Sequence, residues 1–196
     1  LDKIHKSINV KNNKNIYLNY SKKFLLRLNK LDKDIVKKNL KFFKYLNYKL
    51  LEYEKLKKGS ISVIHGDPVF SNIFLEYSNK IKFIDPRGSL INSFTIYGDR
   101  FYDYAKIYQS LTGFEQINIY SSIKDDFYLE KRDFFENKFK NKFKNYNFYY
   151  LKIITSSLYV SLIPFQDSRL KYKYLEIAKS LVKWLFRNLF IHFYLF

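Results

Sequence analysis

The stretch HGDPVFSNIFLEYSNKIKFIDPRG, residues 65–88, limits most strongly how this chain can fold. Its apolar segments are four or five residues long, the length of strands and too short for stable helices. Ile73 to Tyr77 and Ile81 to Ile84 read as two strands, and Ile61 to Ile64 as a short buried strand leading into His65. Ser78-Asn79-Lys80 is turn chemistry, which makes the last pair a hairpin. An Asn stands five residues after Asp67, and a second Asp thirteen residues after that Asn. Closing the hairpin brings Asn72 and Asp85 together. Three oxygen-bearing side chains, Asp67, Asn72 and Asp85, then converge in a pattern suited to metal and phosphate. Mg²⁺ takes hard oxygen ligands and prefers one or two carboxylates plus phosphate oxygens.

Helical periodicity frames this insert. Val36, Leu40, Phe43, Leu46, Leu50, Tyr53 and Leu56 recur at steps of three and four, predicting a helix over 34–57 that Gly59 caps. A shorter helix is expected around Tyr20 to Asn29. Gly98-Asp99 opens another with Asp99 as N-cap, and Gly113 stops it. Residues 116–130 are ambiguous, their alternation allowing short strands. Lys131 to Asn145 reads as a helix with Phe135, Phe139 and Phe143 on one stripe, packing on the helix that follows. Phe148 to Ile163 carries one charge, Lys152, and stops at Pro164; it is the expected central buried helix. Ser168 to about Leu189 is the last, with Leu170, Tyr174, Ile177, Leu181 and Leu185 inward. Residues 1–19 give no firm signal. The expectation is one domain over 1–196, α+β and mainly α, with the catalytic core at 60–113 and a helical remainder at 114–196.

Composition removes several classes. With 47% apolar and 20% aromatic residues the chain is not disordered. It has no Cys, which excludes disulfides and thiolate metal sites. The net charge is +18, yet 30 of the 36 cations are Lys, abundant together with Asn, Ile, Phe and Tyr. All five have A/T-rich codons, so coding bias explains the charge better than a nucleic-acid partner does. There is no signal-like segment and no run of some 18 apolar residues, so a cytoplasmic location and no membrane span are expected. The chain starts at Leu1 and has no Met, and is expected to be processed or a piece of something longer.

The pattern H-G-D-x-x-x-x-N at His65, Gly66, Asp67 and Asn72, followed by hydrophobic-hydrophobic-Asp at Phe83, Ile84 and Asp85, resembles the catalytic core of the aminoglycoside phosphotransferase and choline kinase branch of the protein-kinase-like fold. The later GDRFYDYAK resembles that family's G-D-x-x-x-D-x-A segment. The resemblance implies a helical C-terminal lobe with a small hairpin at the site, ATP as co-substrate and Mg²⁺ as its ion. It implies Asp67 as catalytic base or hydroxyl-orienting residue, Asn72 and Asp85 as Mg²⁺ ligands, His65 as loop anchor, and Asp103 with Asp99 as braces of the loop. SLIPFQDSR is similar to bacterial members associated with capsule or surface-polysaccharide synthesis. Two departures favour a small-molecule kinase over a protein kinase: Gly66 replaces the Arg between His and Asp, and Asp85 is followed by Pro. No Gly-rich phosphate loop and no strand Lys precede the core. The chain is therefore expected to be a C-terminal lobe whose ATP-covering N-lobe is absent, and inactive or weakly active alone.

Each residue has a plainer reading. Asp67 and Asp85 both precede Pro, as turn residues do, but a turn explains neither the spacing nor Asn72. His65 reads as a buried structural residue rather than a proton shuttle, and Asp103 as support. Arg87 touches phosphate or pairs with an acid; both stay open. The many rings could cage a quaternary ammonium group, but core packing is the simpler reading. The apolar end KWLFRNLFIHFYLF closes the core or meets a partner. The expected function is transfer of the ATP γ-phosphate to a hydroxyl of a sugar or amino alcohol. The alternative is a non-catalytic basic module with a vestigial kinase core, binding nucleic acid, anionic glycan or membrane. A broken gene product without function is the third.

Overall fold

The computed structural model describes residues 1–7, 16–120, 126–143 and 145–193. It is mainly helical, 64% helix against 10% strand, in agreement with the mainly-α, α+β class. In chain order the first elements are α1 (Asp2–His5), α2 (Ser21–Leu28), α3 (Lys33–Lys38) and α4 (Leu40–Lys55). The strand insert follows, with β1 (Ile61–Val63), β2 (Ile73–Leu75), β3 (Ile81–Phe83), β4 (Ser89–Leu90), β5 (Ser93–Phe94) and β6 (Tyr97–Asp99). The remaining helices are α5 (Arg100–Leu111), α6 (Phe114–Tyr120), α7 (Asp126–Phe143), α8 (Asn145–Leu162) and α9 (Ser168–Phe193).

α8 is the centre. Leu151, Ile153, Ile154, Tyr159 and Val160 are all within 1% of full burial, and α2, α4, α5, α7 and α9 pack around them. Three of its small hydroxyls tolerate this because they reach carbonyls: Thr155 donates to Leu151, Ser157 to Ile154 and Ser156 to Ala178 of α9. Among the described residues, 147–165 is one helix long and apolar enough to cross a membrane, and 72% of it is buried inside the fold. The Phe stripe of α7 meets α5 and the start of α8. Phe139 lies 5.9 Å from Phe101 and 6.2 Å from Phe148, and Phe143 5.2 Å from Tyr104.

The structure departs from the sequence reading in four places. The helix expected over 34–57 is two, because Asn39 leaves helical geometry at φ −121° and its side chain donates to the Ile35 carbonyl. The buried stripe of α4 is Phe42, Phe43, Leu46, Leu50 and Tyr53, while Leu40 and Leu56 are exposed. Gly59 does not cap α4: Lys57 takes the left-handed position at φ 47°. The Lys57 and Lys58 N–H groups donate to the Glu54 and Tyr53 carbonyls, closing the helix end. Residues 116–120 and 126–130 are helical, in α6 and α7, not strands; 121–125 lie outside the described residues. So do the side chains of the apolar end from 183 onward, Leu185 included.

The strands form three antiparallel pairs. β2 and β3 make the expected hairpin, with Ile73 opposite Phe83 and Leu75 opposite Ile81, turned through Asn79 at φ 56°. β4 and β5 form a second small hairpin. β1 pairs with β6, Ile61 opposite Asp99 and Val63 opposite Tyr97. This long-range pair matters most for the site. One strand leads directly into His65 and the other into α5, so the first turns of α5 lie beneath the His65 loop.

Asp99 locks that junction. Its Oδ1 accepts the Phe101 N–H as N-cap of α5 and the Ser60 N–H at 2.9 Å. Its Oδ2 accepts the hydroxyls of Tyr20 and Tyr53 at 2.7 and 2.5 Å. Burial pushes this carboxyl above its ordinary range, and the four donors offset that rise only in part. Gly59 serves this cluster: a Cβ there would stand 2.6 Å from Asp99 Oδ2. Gly59→Ala is therefore expected to lower stability by about 1–3 kcal/mol, read from the midpoint of urea unfolding. An unchanged midpoint would mean that the Asp99 cluster is not packed this tightly.

Candidate active site

Five backbone and side-chain contacts shape the loop that starts at His65. Asp103, on the first turn of α5 and fully buried, accepts the His65 N–H on Oδ2 at 2.9 Å and the Gly66 N–H on Oδ1 at 2.8 Å. Gly66 turns the chain at φ 81°, and a Cβ there would lie 2.9 Å from Arg87 Cβ. Only glycine meets both conditions. The Arg87 N–H donates to the His65 carbonyl at 2.9 Å, tying the loop to the chain beyond β3. The His65 ring completes the tie. Nε2 lies 2.9 Å from the Ile84 carbonyl, which can only accept, so Nε2 carries the proton and Nδ1 accepts the Asp67 N–H at 3.2 Å. His65 is thus fully used as a clamp.

Downstream, a single 3₁₀ turn over Phe70–Asn72 brings Asn72 back to the loop. Asn72 Nδ2 donates to the Asp67 carbonyl at 2.9 Å, which leaves Oδ1 without a hydrogen bond among the described residues. The Ile84 N–H donates to the Asn72 carbonyl, extending the β2–β3 ladder by one step. Asp85 follows at the next position, exposed and left-handed at φ 54°. The backbone therefore brings Asp67, Asn72 and Asp85 to one end of the hairpin. Among the described residues no group of three His, Asp or Glu side chains gathers as a metal cage. Two carboxylates and an amide oxygen are a donor set that fits Mg²⁺ completed by phosphate oxygens and water, not an all-protein site.

Asp67 is held by cations. Lys106 Nζ, only 7% exposed, stands 2.9 Å from Oδ1, and Arg87 Nη2 lies 3.5 Å from Oδ2. Burial pushes the Asp67 carboxyl up, but Lys106, Arg87 and Lys23 together pull it below its ordinary value. It stays ionised at neutral pH; the stability it adds is present above the ordinary carboxylate range and lost as pH falls through the depressed value. Behind it lies Tyr102, whose hydroxyl oxygen accepts from Lys23 Nζ at 2.8 Å and Arg87 Nη1 at 3.1 Å. Burial pushes this phenol up, yet Lys23, Lys106 and Arg87 bring it down to about 8.

The chain matches no family model, no curated protein and no solved structure. The site is therefore read from its own geometry.

Of the residues singled out in the sequence, His65, Asp67, Asn72, Asp85, Arg87 and Asp103 meet around one loop. Asp99 stands apart: its partners are Ser60, Phe101, Tyr20 and Tyr53, so it holds the start of β1 rather than the loop. Arg87 pairs with an acid, Asp67, and with Tyr102. Sequence reasoning missed His5, Lys23, Tyr102 and Lys106. His5 Nε2 is 3.0 Å from Asp103 Oδ2, a contact spanning 98 residues that a lone His does not announce. Lys106 left a signal, since it follows Asp103 by three residues and so shares its helix face.

Two outcomes follow. Asp103→Asn replaces one acceptor oxygen with a donor against backbone N–H groups, and should cost about 2–3 kcal/mol with faster amide exchange at His65 and Gly66; protection equal to the parent's would remove Asp103 as the brace. Alkaline titration by ultraviolet absorbance should show one phenol ionising near pH 8, ahead of the other tyrosines, and Tyr102→Phe should abolish that step. Its persistence in the variant would refute the tri-cationic surroundings.

Proposed function

We propose that this chain is the substrate-side lobe of a phosphotransferase that moves the γ-phosphate of ATP to an alcohol. The observation that carries the reading is the convergence of Asp67, Asn72 and Asp85 at one end of the β2–β3 hairpin. Asn72 Nδ2 sits on the Asp67 carbonyl, and the Asn72 carbonyl bonds the residue next to Asp85.

Asn72 Oδ1 and the Asp85 carboxylate would hold the Mg²⁺ of Mg-ATP, which neutralises phosphate charge when bound. The chain's own groups do the rest. Asp67 receives the hydrogen bond of the acceptor hydroxyl and aims its oxygen at the γ-phosphorus. As the new O–P bond forms, the bond from the γ-phosphorus to the bridging oxygen breaks, ADP leaves, and the hydroxyl proton passes to Asp67. A carboxyl held low by Lys106 and Arg87 is a weak base, which suits a loose transition state in which orientation matters more than proton abstraction. Lys106 and Arg87 also face the charge spread over the transferred phosphoryl group. Phe74 on β2 and Ile84 just past β3 are 52% and 46% exposed, an apolar floor fit for a nucleotide base. The cover over that base is proposed to come from a segment outside these residues.

Asp67→Asn is expected to reduce ATP-dependent phosphorylation of a responsive alcohol by about 10²–10⁴-fold without unfolding the chain, because backbone contacts rather than this carboxylate hold the loop. The assay is ADP release with the ATP-covering segment present, where the parent sequence is expected to turn over. Turnover close to the parent's would defeat the assignment.

A further inference from the structure

Beside Asp67 lies a second feature that phosphoryl transfer from ATP does not itself require. A cavity of about 410 Å³ opens between α2 and the β4–β5 turn, lined by Asn19, Lys23, Arg27, Lys30, Arg87 and neighbouring residues of the turn. This is the size of a small-ligand pocket. Four of the residues lining it are cations, and among the described residues none is a carboxylate. Lys23 and Arg27 stand four residues apart on α2, where like charges repel, and Lys30 follows in the turn just past the helix end. Arg27 lies over the Phe165 ring at 4.5 Å, and neither Arg27 nor Lys30 has a carboxylate partner among the described residues.

A neutral group points the same way. Asn19 is 5% exposed, and its Nδ2 is buried with no hydrogen-bond partner. A buried donor left without an acceptor is costly, and this one belongs to a residue that lines the cavity. A second basic cavity, at Lys37, Lys38, Lys41 and Lys179, includes Glu176 among its lining residues. The first is joined to the reaction centre through Arg87, which spans Asp67 and Tyr102.

We infer that this cavity binds an oxyanion carried by the acceptor, so that the alcohol phosphorylated here is a sugar acid or a sugar phosphate rather than a neutral or cationic compound. The anion would sit among Arg27, Lys30 and Lys23 with Asn19 donating to it, and the acceptor hydroxyl would extend past Arg87 toward Asp67. The inference rests on the phosphotransferase reading for the fate of the hydroxyl, but not for the binding of the anion. Burial pushes the Lys23 ammonium down, and a bound anion would favour its charged form.

Calorimetric titration of the chain with glucuronate, glucose 6-phosphate and glucose, without ATP, tests it. Binding of at least one anionic probe, with glucose about tenfold weaker or more, is expected. A preference between glucuronate and glucose 6-phosphate assigns the oxyanion to carboxylate or phosphate. Arg27→Gln and Lys30→Gln, on partly or fully exposed side chains that spare the core, should each weaken the preferred anion about tenfold. Lys41→Gln with Lys44→Gln, on α4, should leave it unchanged. Glucose binding as tightly as the anions, or anion binding indifferent to Arg27 and Lys30, overturns the inference. A parallel assay of ATP turnover with the bound probe, run with the ATP-covering segment present, keeps the two claims separate: binding without transfer there counts against the phosphotransferase and for the anion site.

Discussion

A single buried carboxylate, that of Asp103, sets the geometry on which the candidate site depends. It accepts two consecutive backbone N–H groups, from His65 and Gly66, and the ring of His5. A carboxylate out of water is tolerable only when its lone pairs are filled by donors of fixed direction. Here those donors are the loop itself, so the loop cannot relax without exposing a bare buried charge. Because Asp103 sits on α5, which begins where β6 ends, the β1–β6 pairing and the loop conformation are one cooperative arrangement. Asp99, one turn earlier, fixes the same junction from the other side through Ser60, Tyr20 and Tyr53.

With the loop braced through its backbone by Asp103, the Asp67 carboxylate and Asn72 Oδ1 are not needed to hold its shape. Asp67 spends its N–H on His65 and its carbonyl on Asn72, and its carboxylate faces Lys106 and Arg87. Asn72 spends its amide N–H and keeps Oδ1. On the proposed phosphotransferase reading this division suits catalysis, because groups meant to meet substrate are positioned by other partners. The cations then decide the character of the site. Three of them, Lys23, Arg87 and Lys106, surround one carboxylate and one phenol, and the excess of positive charge continues into the cavity beside α2. A net charge of +18 that coding bias explains in bulk acquires a local meaning only here, where cations are partly buried and short of counter-charges.

Much of this was legible in the residues. The hairpin was, because Ser78-Asn79-Lys80 separates two short apolar runs, and its register follows from where those runs stop. The α8 core helix was, because sixteen residues with one charge have nowhere to go but inside. The break at Asn39 was not, since Val36, Leu40 and Phe43 carry the helical period straight across it and only the Asn39 side chain diverts the backbone. The α6 helix stayed ambiguous in the sequence because INIY alternates over too few residues to separate period two from period 3.6. The β1–β6 pairing was hidden, as Gly98-Asp99 reads as a helix start and says nothing of the strand it ends. His5, Lys23 and Tyr102 were hidden as well, their roles arising from contacts across some 80 to 100 residues that local pattern does not encode.

The central claim is that Asp67, Asn72 and Asp85 form one place where a metal–triphosphate is held. Adding Mn²⁺ with ATP to isotopically labelled chain, and following which backbone amides broaden, tests it most directly. Broadening that appears first at Asp67, Asn72 and Asp85 and fades along the β2–β3 hairpin is the expected result. Amides of those three that stay sharp while signals elsewhere on the lysine-covered surface broaden would contradict it.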